Sequence, residues 1–157
     1  MEENFMMEAL KEAEKARNEG EVPIGAVVVC DGEIVGRGHN RREYGKNALA
    51  HAEIEAIDEA CRNLGGWRLF RCDIYVTLEP CPMCAGAIIN SRIRRVFFGA
   101  YDEKAGSFGS LVNLSDYPYN HHPEIHGGIL EETCSSYLSE FFKELRKKKN
   151  TNNGESV

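Results

Sequence analysis

Over the first twenty positions, apolar residues recur at Met6, Ala9, Leu10, Ala13 and Ala16. This is the spacing of one helical face, and Gly20 is a plausible stop. The pattern then changes period. "VPIGAVVVC" (22–30) reads as a buried strand, "DG" (31–32) as a two-residue hairpin turn, and "EIVGRGHN" (33–40) as the partner strand. Residues 52–64 return to helical spacing, with Ile54, Ile57, Ala60, Cys61 and Leu64 on one face and Gly65-Gly66 as the stop. "CDIYVTL" (72–78) is a strand of β-branched and aromatic residues, a helix is expected from Pro82 to Ser91, and "RRVFFGA" (94–100) is the next strand. Residues 101–123 are rich in Gly, Ser, Asn, Asp, Tyr and Pro, and a segment of that length without regular structure often carries function. A short strand near "EIHGG" (124–128) and an amphipathic helix over 130–148 complete the pattern. A hairpin followed by strand, helix and strand predicts an α/β fold of three layers, a mixed sheet flanked by helices. There is no internal repeat or domain boundary, so residues 1–149 are expected to form a single domain, with 150–157 a disordered tail.

Composition narrows the class. At 157 residues, with 42% hydrophobic and 28% charged side chains, the chain has the make-up of a globular domain with a sizeable core. No apolar run approaches the roughly 20 residues needed to span a bilayer, so no membrane is implied. The acidic, helix-periodic N-terminus is unlike a signal peptide, which predicts a cytoplasmic protein. Cys30, Cys61, Cys72 and Cys134 are scattered through apolar or helical contexts and read as reduced, mostly buried thiols. The net charge of −6 argues weakly against nucleic acid, but its distribution changes the picture. Residues 36–100 carry 10 basic and 7 acidic side chains, with Arg41 beside Arg42 and Arg92, Arg94 and Arg95 clustered. The chain also ends on Lys143, Arg146, Lys147, Lys148 and Lys149. Taken alone, each run reads as a solvated face; attraction is local at physiological salt, so such runs can still meet phosphates.

The candidate chemistry starts at "LEPCPMCAGAI" (78–88). Proline is favoured at the first helical position and pushes the residue before it out of the helix, which makes Cys81 the N-cap and Cys84 the third helical residue. Those positions bring the two sulfurs together at the positive end of the helix dipole, where thiolates are favoured. A redox C-x-x-C pair has the same arrangement, so the two cysteines by themselves remain ambiguous. "AHAEIEAI" (50–57) places His51 and Glu53 at the head of the other central helix. Residues two apart on a regular helix face different ways, so a shared site requires His51 at the unwound start and Glu53 in the first turn. Two helices starting at one sheet edge would gather His51, Cys81 and Cys84 into a donor set that suits Zn²⁺. With three protein ligands and no fourth at finger-like spacing, the site is of the open, catalytic kind, one zinc per chain. Glu53 is then the proton carrier.

His-Ala-Glu followed by Pro-Cys-x-x-Cys is similar to the zinc-dependent nucleoside and nucleobase deaminases, a pattern whose glutamate role is a general principle of that chemistry. "EVPIGAVVV", "AHAEI", "LGGWRL", "IYVTLEPCPMCAGAIINSRI", "VFFGAYDEKAGSFGS", "NHHPEI" and "FFKELR" resemble, over residues 4 to 147, the bacterial tRNA-specific adenosine deaminases. The resemblance implies a cytidine-deaminase-like fold with a central mixed five-stranded sheet, and a homodimer. It also implies hydrolytic conversion of wobble adenosine A34 to inosine in the anticodon stem-loop of an arginine tRNA with anticodon ACG, releasing ammonia. By position, it implies zinc on His51, Cys81 and Cys84, Glu53 as catalytic acid and base, and Asn40 hydrogen-bonded to the flipped base. Asp102 and Asn120 would meet flanking nucleotides, and Phe142 would pack near the loop. Tyr101 and His122 depart from the family pattern beside these contacts. Two other readings keep part of this picture: a deaminase of a free base or nucleoside such as guanine or cytosine, and a non-catalytic zinc-stabilised module. The "GSFGSLVNL" segment and the basic final helix are unnecessary for the first. Glu53 and the missing fourth ligand oppose the second.

Overall fold

The computed structural model describes residues 1–155, with side chains through Thr151. Helix α1 (Glu2–Asn18) precedes strands β1 (Gly25–Cys30) and β2 (Glu33–His39). These are followed by α2 (Ala52–Leu64), β3 (Cys72–Leu78), α3 (Pro82–Asn90), β4 (Arg95–Ala100), a 3₁₀ turn at Leu114–Asp116, β5 (Glu124–His126) and α4 (Glu131–Glu155). The sheet is five-stranded and mixed, in the order β2-β1-β3-β4-β5. β1 pairs antiparallel with β2 and β3, whereas β3–β4 and β4–β5 are parallel.

The hairpin forms as its turn chemistry demands: Asp31 and Gly32 both take positive φ, 50° and 80°, which a tight two-residue connection requires. β1 starts at Gly25 rather than 22, because Pro23 has no N–H to give a ladder and Ile24 N already donates to Val22 O.

Strand alternation sorts the core into two layers. Ala26, Val28, Ile74, Val76, Val96 and Phe98 face α2 and α3. Val27, Val29, Tyr75 and Phe97 face α1, with Cys134 and Leu138 of α4 closing the same layer. The three-layer α/β expectation therefore holds. The buried face of α2 matches the expected one only at Ile57, Ala60 and the partly buried Cys61. Ala52, Ala56, Ile57 and Ala60 turn inward, while Ile54 lies at the margin and Leu64 is exposed. The cause is close packing on β2: a Cβ on Gly36 would lie 2.1 Å from Ala56 O, and one on Gly38 2.2 Å from Ala52 O. Only the alanine stripe is small enough to lie against strand backbone at that distance.

Cys30, Cys72, Cys84 and Cys134 are buried, Cys61 and Cys81 are partly buried, and no disulfide is formed among the described residues. Residues 150–155, expected to be disordered, continue α4; nothing from Arg146 to Asn153 is a proline or glycine that would stop it. The rest of that expected tail, 156–157, lies outside the described residues. Among the described residues no helix is long and apolar enough to cross a membrane.

Replacing Gly38 by Ala forces α2 off β2. The expected outcome is a loss of about 1–3 kcal/mol, the usual scale of overpacking. It would be read as a lower urea midpoint with unchanged slope, and an unchanged midpoint would contradict the packing account.

Candidate active site

Five chain segments reach one edge of the sheet: the approach to β1, the end of β2, the start of α2, the β3–α3 turn and the end of β4. His51 is the N-cap of α2, with extended backbone (φ −85°, ψ 152°). Cys81 is the N-cap of α3 (φ −73°, ψ 174°), and Pro82 opens that helix. Cys84 follows in the first turn and is buried. His51 Nδ1 lies 3.6 Å from Cys81 Sγ and 3.5 Å from Cys84 Sγ. A zinc ion bound at about 2.0–2.1 Å to nitrogen and about 2.3 Å to sulfur, at the tetrahedral angle, requires an N···S edge of about 3.6 Å. All three donor atoms lie within 4.8 Å of one another, so the donor set fits one small, soft dication. Of the two sulfurs, Cys81 is the one held toward the thiolate form that binds metal. The hydrogen bond from Cys84, reinforced by His51, holds the Cys81 thiol down to about 4. That contact and burial push Cys84 upward, and the contact with Cys81 raises His51.

His51 and Cys81 line a cavity of about 210 Å³ whose walls include Asn40, Arg42, Glu53, Glu79 and Asp102. Glu53 sits in the first turn of α2, 4% exposed. Burial, with the Cys81 thiolate adding, pushes its carboxyl up to about 7, where it can both take and give a proton near neutrality. Asn40 is buried: its Nδ2 donates to Val22 O and its Oδ1 accepts from Arg42 N, both at 3.3 Å. One amide hydrogen and one lone pair are left over for a ligand. Asp102 Oδ1 accepts from Lys104 N and Ala105 N, closing a turn at the cavity wall. Asn120 and Phe142 are exposed and do not line the cavity. Tyr101 is half-exposed and packs edge-on against Phe98, and His122 Nδ1 contacts Ser115 O.

Sequence reasoning did not single out Glu21 or Glu79, both almost fully buried beside this cavity. The only signal for either is a charged residue flanking an apolar strand, "GEVPIG" and "TLEPC".

Residues 1–100 match the family described as the cytidine and deoxycytidylate deaminase zinc-binding region. The chain belongs to that family. It is 56% identical over 149 residues to the tRNA-specific adenosine deaminase of Bacillus subtilis, covering 94% of this chain and 92% of that one. The Aquifex aeolicus tRNA-specific adenosine deaminase is 49% identical over 145 residues, 92% and 95% of the two chains. Among solved structures, a chain from work on A-to-I editing by tRNA:A34 deaminases superposes with a TM-score of 0.82 at 46% identity, covering 86% of this chain and 99% of that one. Guanine deaminase from Bacillus subtilis shares the fold at 34% identity, with a TM-score of 0.62 over 87% of this chain and 91% of that one. His51, Cys81 and Cys84, a group able to hold a metal ion, lie within the residues that match this zinc-binding region.

His51→Ala or Cys84→Ser is expected to lower zinc content, measured by metal analysis of the purified chain, well below that of the unaltered protein. Retention of full zinc by both variants would show that the ion is held elsewhere.

Proposed function

We propose that this protein hydrolytically deaminates the wobble adenosine, A34, to inosine in the anticodon loop of an arginine tRNA with anticodon ACG. On this reading it acts in the cytoplasm as a homodimer, with one zinc per chain and residues 1–149 as the catalytic domain. The observation that carries the reading is the meeting of His51, Cys81 and Cys84 with the buried Glu53 in one cavity. The likeness to tRNA-specific adenosine deaminases over most of the chain supports the choice of substrate.

His51, Cys81 and Cys84 would hold zinc, which when bound supplies Lewis-acid activation of water. Glu53 takes one proton of the water that adds at C6 of adenine and returns it to N1. It then takes the remaining proton of the new C6 hydroxyl and gives it to the amine, which leaves as ammonia as the C6 carbonyl forms. Asn40 hydrogen-bonds the base, and its existing bonds to Val22 and Arg42 fix the plane of its carboxamide. The base must leave the anticodon stack to enter the cavity, which is least costly in a single-stranded loop. Arg42 at the cavity wall and its exposed neighbour Arg41 suit phosphates on either side of that base. Asp102 at the wall and Asn120 outside it would contact flanking nucleotides, and Phe142, also outside the cavity, would pack near the loop.

Two measurements test the reading. Incubation with an ACG anticodon stem-loop is expected to yield inosine at the wobble position, with free nucleosides and guanine left unchanged. Turnover of guanine or a nucleoside alone would overturn the substrate assignment. Glu53→Gln is expected to keep its zinc while losing a factor of about 10²–10⁴ in kcat, the usual weight of general acid–base catalysis. Near-normal turnover of that variant would remove Glu53 from the proton path.

A further inference from the structure

Two walls of the cavity are irregular segments, and each is organised around a buried carboxylate that takes no part in the chemistry above. The first wall is the segment after β2, which brings Asn40 and Arg42 to the cavity. Glu21, 2% exposed, reaches it from the segment between α1 and β1. Its Oε1 accepts from Glu43 N at 3.1 Å and its Oε2 from Tyr44 N at 2.7 Å. The second wall is the segment after β4, which brings Asp102 and Ala105. Glu79, 1% exposed, stands at the end of β3, two residues before Cys81. Its Oε1 accepts from Asp102 N at 3.1 Å, and its Oε2 from Phe108 N at 3.2 Å and Ser110 N at 3.0 Å. The Ser110 hydroxyl donates to Oε1 as well. The enclosure is tight: a Cβ on Gly106 would lie 2.4 Å from the Glu79 carboxyl carbon.

All these partners are donors, and each carboxylate uses both of its oxygens as acceptors. A carboxamide has one acceptor oxygen and would turn its N–H₂ against a backbone N–H. Among the described residues no ion pair reaches either glutamate, so backbone amides, joined at Glu79 by the Ser110 hydroxyl, offset the cost of burying them. The segment held by Glu21 is exposed, whereas the one held by Glu79 reaches the core through Phe108; both contribute walls of the cavity.

We infer that Glu21 and Glu79 are positioning residues for RNA capture. Each holds one cavity wall in the shape that receives the anticodon loop, before any RNA is present. Ordering these walls in advance removes a conformational cost from binding. Neither glutamate is needed to move a proton or hold the metal, so its loss falls on affinity and spares the chemical step. The inference rests on the substrate reading above.

The test uses the full-length, zinc-loaded protein and its Glu21→Gln, Glu79→Gln and double variants, with the ACG stem-loop as substrate. Each single variant is expected to raise KM roughly tenfold, the scale of one lost charge-assisted hydrogen bond. kcat and zinc content should stay close to those of the unaltered protein. The double variant is expected to multiply the two effects, because the walls are separate. Amide exchange should quicken at Glu43 and Tyr44 only in the first variant, and at Asp102, Phe108 and Ser110 only in the second. Glu21→Asp and Glu79→Asp, which keep two acceptor oxygens, should recover part of the affinity; Ser110→Ala should show a milder form of the Glu79 effect. If the glutamine variants do not fold, the aspartate variants and Ser110→Ala carry the same comparison. Unchanged KM, or a fall in kcat and zinc together, would overturn the inference. An unaltered protein that leaves the stem-loop untouched would instead overturn the substrate reading.

Discussion

How closely α2 can lie on strand β2 decides where His51 stands, and the rest of the site follows from it. Gly36 and Gly38 present bare backbone to Ala52, Ala56 and Ala60, so helix and strand approach with no side chain between them. That contact sets the axis of α2 and therefore the position of its first turn. β3 and α3 set the other half, because Pro82 starts α3 at a defined residue and leaves Cys81 extended. The side chains at the two helix starts then meet, with His51 Nδ1 3.5–3.6 Å from the sulfurs of Cys84 and Cys81. A methyl group on either glycine would act on the metal centre through the helix axis, without touching a ligand.

The buried acids divide by what offsets their burial. Asp73, at the far end of β3, is held by the guanidinium forks of Arg94 and Arg95. Glu12 is bridged to Lys15 and Arg37. Glu21 and Glu79 are held by backbone N–H groups. Glu53 lies against His51 and the two cysteines, and burial pushes its carboxyl up to about 7. The carboxylates that fasten the fold and the one suited to carry a proton are the same side chain in different surroundings.

In the fold shared with guanine deaminase, the two central helix starts bring His51, Cys81 and Cys84 together. What surrounds the cavity is supplied by the segments after β2 and β4, which carry Asn40, Arg42, Asp102 and Ala105. A common reaction core with different walls is how one architecture serves a free base or a base within RNA.

Much of this was legible in the residues, because it is local. The Asp31-Gly32 turn, the Pro82 helix start, and the spacing that places His51 at an unwound position and Glu53 in the first turn depend on neighbours along the chain. The strands were legible through alternation, since each buries one face on each layer. The inward face of α2 was not: the larger residues Ile54 and Leu64 suggested one side, whereas a pair of glycines on another strand favours alanine. Glu21 and Glu79 were equally hidden, since a carboxylate surrounded by backbone N–H groups has no partner type to search for. Asn40 and Asp102 were reached only through resemblance, and Asn120 and Phe142 stay apart from the cavity. The sequence by itself determined the elements, their caps and the residue types able to bind a metal. The tertiary structure alone decided which of those residues meet, because separations of 21 to 33 positions are closed by sheet pairing and helix packing, and periodicity does not encode either distance.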